Sequence, residues 1–225
     1  MDVKQLYTEK IDTYLSFNSV FRSPQALQAF FEAYDCLRSD LRILDAGCGT
    51  GAAALALLRA LRRRNLDYQT LHAFDLTPAM LARFREHLTQ QKISNVDLLE
   101  ANVLELEMLP PSWTNYDLIV SVAMLEYVAR ADLVTALTAL RTRLARQGRL
   151  LLFITRKNWV TKPLIERWWK ANRYTREELQ EAFRAAGFRD PTFKRFPYSY
   201  FWQNFWAYIL ESRPFQRDVP NDGLS

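Results

Sequence analysis

The sequence predicts an α/β fold: a mostly parallel sheet with helices on both faces, in one domain. Three observations carry this expectation. Apolar runs of strand length alternate with helical patterns along most of the chain, which is the pattern of strands buried under helices on two sides. The first apolar run is followed by a glycine turn and an apolar helix, "LRILDAGCGTG" leading into "AAALALLRALRRR". The length, 225 residues, suits one domain, which at this size buries roughly 70–75% of the surface its unfolded chain exposes and needs neither disulfide nor metal to fold.

The elements follow in order. Residues 1–40 read as a helical cap with aromatics at Tyr7, Tyr14, Phe17, Phe21, Phe30 and Phe31. The central segment spans 41–155. Its strand candidates are Arg42–Ala46, Thr70–Asp75, Val96–Glu100, Tyr116–Val122 and Arg149–Thr155. The helix after the first strand is apolar at nearly every position up to Arg59, so it packs on a sheet; Arg62, Arg63 and Arg64 at its end offset the helix dipole. Thr77 is an N-cap candidate, with Pro78 in the first turn of the next helix. A third helix runs from Ala131 to Gly148, where glycine is the expected stop. An insert occupies 156–174. Thr175 and Glu178 then form a capping box for a helix that closes at Gly187. Strand candidates Thr192–Phe196 and Phe205–Leu210 complete the 175–211 segment, and the polar tail 212–225 is expected to fray. There are no repeats and no low-complexity tracts.

Composition narrows the function classes. The formal net charge of +5 permits acidic partners without requiring them. Two cysteines, Cys36 and Cys48, make no disulfide framework, so a reduced, cytoplasmic setting is the simplest expectation. The charged start "MDVKQLYTEK" lacks the apolar core of a signal peptide, and no apolar run is long enough to span a membrane. No metal-ligand spacing of Asp, Glu, His and Cys is present, so no metal is expected.

The chain has only six glycines, and three stand at alternate positions in one turn: Gly47, Gly49 and Gly51. Two cofactors compete for such a turn. Gly47, Gly49 and Ala52 satisfy G-x-G-x-x-G/A, and Asp75 ends a second strand, as in a nicotinamide or flavin dinucleotide site. However, Asp45 stands at the mouth of the turn, and its carboxylate repels a pyrophosphate. It suits a cationic amino-acid moiety instead.

Longer motifs resolve the choice. "LDAGCGTG", "FDLTPAML" and "YDLIVSVAMLEYV", in that order, resemble the successive motifs of class I S-adenosylmethionine-dependent methyltransferases. The resemblance covers about residues 40–155, with a compatible element order to about 211. It implies a three-layer Rossmann-like fold, a seven-stranded sheet whose last strand is antiparallel, and S-adenosyl-L-methionine as cofactor. It also implies that Asp45, Gly47 and Gly49 border the methionine moiety, with Cys48 and Gly51 in the same turn. Asp75 matches the acid that chelates the ribose hydroxyls, with Leu76 beside it, and Met80 the apolar residue packed on adenine. Asn102 and Val103 stand where the family places an aspartate and a small apolar residue against the adenine edge; the asparagine departs from that pattern but keeps an acceptor oxygen. Ser121 and Val122 would offer carbonyls to the methionine ammonium. Plainer alternatives remain: a helix cap for Asp45, a surface turn for Asp75 and core packing for Met80.

Glu126, in "AMLEYV", is the candidate catalytic residue: a base, an anchor for a cationic acceptor, or only a cap on the next helix. Neither His72, in a strand, nor His87, in a helix, is placed for base chemistry. The segment "SVAMLE" lacks the Asn/Asp-Pro-Pro-Tyr/Phe of adenine amino-methyltransferases and the Pro-Cys of cytosine C5 enzymes, so DNA is not the expected target. Five of six tryptophans lie between Trp159 and Trp206, and nine of the seventeen residues 192–208 are aromatic. These aromatics suit an apolar acceptor pocket, a protein or membrane contact face, or a dense core. The candidate acceptor-binding residues are Tyr14, Arg22, Tyr127, Trp168, Trp169 and Trp202. The expectation is methyl transfer to an oxygen or nitrogen of a small, partly apolar or aromatic metabolite. A macromolecular acceptor and a non-catalytic binding module remain alternatives.

Overall fold

Seven strands form one sheet in the order β3-β2-β1-β4-β5-β7-β6, in a computed structural model that describes residues 24–156 and 172–216. They are β1 (Leu41–Ala46), β2 (Tyr68–Asp75), β3 (Val96–Glu100), β4 (Tyr116–Val122), β5 (Leu144–Thr155), β6 (Thr192–Lys194) and β7 (Ala207–Ser212). Strands β1 to β5 are parallel, and β7 runs antiparallel to both of its neighbours. The α/β class and the antiparallel last strand match the expectation. Strand order reverses between β1 and β4, and ligands bind outside the carboxyl ends of the strands at such a point.

Alternation along the strands divides the core into two layers. Ile43, Leu118, Val120, Leu151 and Phe153 face one side. They meet α1 (Pro24–Glu32), α2 (Ala52–Arg63) and α3 (Pro78–Gln90) through residues such as Phe31, Leu57 and Phe84. Leu44, Ile119, Leu150, Leu152 and Ile154 face the other side. They meet α4 (Leu133–Arg143) and α5 (Arg176–Ala185) through Leu137, Leu140, Leu179 and Phe183. Of the predicted cap, α1 is seen, with Phe30 packed edge-on to Phe153 at 5.1 Å; its earlier aromatics lie outside the described residues, as do Trp159 and most of the insert.

Three boundaries correct the sequence reading. The helix expected to run to Gly148 ends at Arg143, and β5 starts at Leu144. Gly148 lies inside β5, where an added Cβ would stand 2.4 Å from the Tyr116 carbonyl oxygen, so glycine admits a close strand approach instead of stopping a helix. The strand β2 begins two residues before Thr70. The last two strands are displaced because residues 198–205 fold as a 3-10 turn between them. The Phe196 N–H donates to Asn204 Oδ1 at 2.9 Å, which ends β6 early and delays β7 to Ala207.

The two helix signals around α5 hold. Thr175 Oγ1 accepts from the Glu178 N–H, Glu178 accepts from the Thr175 N–H at 2.6 Å, and Gly187 follows the helix at φ 78°. Thr175→Ala is expected to lower stability by about 1 kcal/mol, as urea unfolding would measure. Thr77 does precede α3, but its side chain makes no cap bond.

Candidate functional site

A cavity of about 320 Å³ opens at the carboxyl edge of the sheet, between β1 and β4. Its wall is assembled from the ends of four strands and the loop before α4. The glycine turn contributes Gly47 and Gly49, the end of β2 Asp75 and Leu76, the end of β3 Asn102 and Val103, and the end of β4 Val122. Met80 of α3 and Tyr127 of the loop complete the set of expected residues that meet there.

The glycine turn is held from below. The N–H groups of Gly47 and Cys48 both donate to the Phe74 carbonyl at 2.9 Å, clamping β1's exit to β2. Gly47 sits at φ 72°, and an added Cβ would stand 2.2 Å from Met124 Cγ. Gly49 has nothing within 4 Å of such an atom, so its missing side chain leaves open space on the cavity side.

Asp75 ties two elements together. Its Oδ2 accepts from the Gly49 N–H at 2.8 Å, and its Oδ1 from the Thr77 N–H at 2.9 Å. The Thr77 hydroxyl and the Leu76 N–H also lie against this carboxylate. Burial raises its pKa, and the bonds from Thr77 and Gly49 oppose that rise. Asn102 caps the 3-10 turn Val103–Met108: its Oδ1 accepts from the Leu104 N–H at 3.1 Å. Met80 and Val103 are buried apolar wall, while Leu76 is more exposed.

Asp45 lies beneath this surface. It is buried, its Oδ2 accepts from the Ala54 N–H in α2 at 3.1 Å, and its Oδ1 has no hydrogen-bond partner. Burial pushes its pKa up to about 7, the nearby Asp75 charge adds to the rise, and the Ala54 bond opposes it. The folded value stands above the ordinary carboxyl value, so this group's contribution to stability is fully present below about pH 4 and is lost as pH rises toward 7. An ionised Asp45 therefore favours a cation nearby. Both readings of this residue survive, since it bonds the following helix and still offers an unsatisfied oxygen.

Other expected residues lie off the cavity wall. Cys48 is buried beneath the turn, where desolvation, then the charges of Asp45 and Asp75, raise its pKa and keep it a thiol. Gly51 starts α2 against the Phe84 ring. Ser121 is fully buried with an unpartnered Oγ. Glu126 is buried in the turn Leu125–Tyr127, its Oε2 accepts from the Thr155 N–H at 2.9 Å, and it does not line the cavity. Trp202 lies in the turn between β6 and β7. Tyr14, Arg22, Trp168 and Trp169 lie outside the described residues.

Sequence reasoning missed Met124, Val128 and Asp132, which line the cavity. Ala123, also on the wall, adopts φ 56° without being glycine, the kind of backbone strain that persists where surrounding structure holds it. No signal in the sequence marks these positions. Asp132 joins Asp75 and Tyr127 as an ionisable group on the wall. Among the described residues no group of three or more His, Cys, Asp or Glu side chains is arranged for a metal ion, and no helix is long and apolar enough to cross a membrane.

Comparisons with known proteins agree with this geometry. A family model described as "Methyltransferase domain" matches residues 43–148. The chain is similar to 5-methylorsellinic acid synthase of Aspergillus terreus, 31% identical over 135 residues, covering 57% of this chain and 5% of that protein. It is also similar to carboxy-S-adenosyl-L-methionine synthase of Stutzerimonas stutzeri, 31% identical over 111 residues, covering 49% of this chain and 44% of that protein. It thus spans less than half the length of either curated relative. Among solved structures, mitomycin 7-O-methyltransferase superposes with a TM-score of 0.72 at 18% identity, over 93% of this chain and 60% of that one. Magnesium protoporphyrin IX methyltransferase from Synechocystis with bound S-adenosylhomocysteine gives 0.67 at 15% identity, over 93% of this chain and 97% of that one. These structural likenesses show the Rossmann-like fold.

Proposed function

We propose that this chain, a member of the class I S-adenosylmethionine-dependent methyltransferase family through its domain at residues 43–148, transfers a methyl group to an oxygen or nitrogen of a small, partly apolar or aromatic metabolite. The observation that carries this reading is the cavity wall on which Gly47, Gly49, Asp75, Asn102 and Val103 converge from three strand ends and Met80 from α3. When bound, S-adenosylmethionine supplies a methyl group already activated by its sulfonium. The chain's own task is then mainly positioning, worth on the order of 7–11 kcal/mol of barrier when reactants are well oriented.

Each residue type fits one part of that ligand. Gly47 and Gly49 leave space at the floor. Asp75 accepts from two neighbouring hydroxyls, and Met80 with Val103 offers apolar surface to a planar base. Asn102 retains an acceptor lone pair beside it. The unpartnered Asp45 Oδ1 suits an amino group, directly or through water. Met124, Val128, Tyr127 and Asp132 form the acceptor side. Asp132 takes the role of base for a protonated acceptor, and Glu126 holds the turn after β4 against the end of β5. Asp132→Asn lowering turnover without changing S-adenosylhomocysteine affinity checks that assignment.

Thermal shift with S-adenosylhomocysteine against NAD tests the cofactor; stabilisation by NAD alone sinks the reading. Transfer of a labelled methyl group into metabolite but not macromolecule fractions tests the acceptor class. Cofactor binding without transfer to any acceptor would leave a binding module instead. The Asp45 carboxyl adds a pH signature. A ligand ammonium favours its ionised form, so the shift by S-adenosylhomocysteine is expected to be larger at about pH 8 than at about pH 6. Asp45→Asn should flatten that difference.

A further inference from the structure

The stretch from Pro191 to Leu210 holds nine aromatic residues, Lys194 and Arg195, and no aspartate or glutamate. Its 3-10 turn, Tyr198–Phe205, joins β6 to β7. Thr155 at the end of β5 pairs with Ala207 at the start of β7, so this turn lies on the carboxyl edge of the sheet, the edge on which the cavity opens. Tyr200 packs on the core, but four other rings of the turn face outward. Tyr198 is 90% exposed, Phe201 62%, Phe205 43% and Trp202 41%. Asn204, accepting from the Phe196 N–H and donating to the Phe201 carbonyl, and the Trp206 N–H, donating to the Gln203 carbonyl at 3.0 Å, hold the turn. Tyr198 and Phe201 stack with centroids 5.8 Å apart on the outside.

We infer that this aromatic knuckle docks the protein on an anionic lipid surface. Tyrosine and tryptophan carry an apolar ring with a polar edge, which suits the boundary between headgroups and acyl chains. Arg195 is exposed and makes no ion pair among the described residues, and Lys194 reaches only Glu211, at 3.9 Å. Juxtaposed basic charge adds attraction to anionic lipid. The same charges disfavour a second copy, because a two-fold contact through the knuckle would bring Arg195 against Arg195. With few rings and two cations, the docking is reversible. It goes beyond the methyltransferase reading and does not depend on it.

Sedimentation of the full chain with vesicles, read without substrate or turnover, tests the proposal. Vesicles of equimolar phosphatidylcholine and phosphatidylglycerol should retain the protein at least about tenfold better than phosphatidylcholine alone, and added salt should weaken retention. Tyr198→Ser with Phe201→Ser should abolish it, and Arg195→Glu should weaken it by about fivefold or more. Tyr198→Ser alone, at a nearly fully exposed position, should weaken retention while leaving the thermal transition unchanged, which separates lost docking from lost folding. No retention, equal retention on neutral vesicles, or retention untouched by the Tyr198 and Phe201 variants overturns the proposal. Sedimentation velocity showing a dimer that these variants dissolve also overturns it, in favour of a second copy.

Discussion

Gly51→Ala is expected to lower the unfolding free energy by about 2–5 kcal/mol. Two costs add. The residue sits at φ 85°, where a side chain costs about 1–2 kcal/mol. Its new Cβ would stand 2.1 Å from the ring of Phe84, which is fully buried between α3 and the sheet, and overpacking a core costs typically 1–3 kcal/mol. Gly49→Ala is the informative comparison. Gly49 also has positive φ, at 53°, but nothing within 4 Å of an added Cβ, so only the backbone cost of about 1–2 kcal/mol applies. Its methyl group enters space on the cavity side, and the loss should appear in ligand affinity. Urea unfolding of the two variants, beside calorimetric titration with S-adenosylhomocysteine, separates a packing glycine from a binding glycine. Equal stability losses would refute the distinction.

Asp75→Ala is expected to weaken S-adenosylhomocysteine binding by about 100-fold or more. In the proposed site the carboxylate would accept from paired hydroxyls, and hydrogen bonds to a charged group contribute about 1.5–3 kcal/mol each. It also receives the Gly49 and Thr77 N–H groups, so its removal loosens the turn that shapes the floor. Asp75→Asn should fall between the two, because its amide oxygen still accepts while the charge is gone. Calorimetric titration on protein with a native circular dichroism spectrum gives the measurement. An affinity change below about threefold would remove Asp75 from the ribose role.

Much of the cavity wall was legible in the chain because its signals are local. "LDAGCGTG" places a strand end, three glycines and a carboxylate within a few residues. Asp75 and Asn102 stand at equivalent ends of neighbouring strands, so element order alone aligns them. The aromatic tail illustrates the opposite case. Composition between 192 and 208 allowed a pocket wall, a contact face or a dense core; the structure places Phe196 in the core and Tyr200 against it, and leaves Tyr198, Phe201, Trp202 and Phe205 exposed.

Glu126 and Asp132 show the same division most sharply. Both are acids in the segment after β4, and by sequence Glu126 stands nearer the motif. The 3-10 turn Leu125–Tyr127 rotates Glu126 inward to the Thr155 N–H, while Asp132, at the start of α4, reaches the cavity wall. The sequence by itself determined the strand–helix alternation, the glycine turn and the carboxylates at the strand ends, because each rests on residues close together in the chain. The tertiary structure alone decided that Met124 lies over Gly47, that Asp45 keeps one oxygen unpaired, and which acid faces the cavity. Those depend on contacts between segments brought together by crossovers, and on a rotation of about one residue that no hydrophobic period encodes.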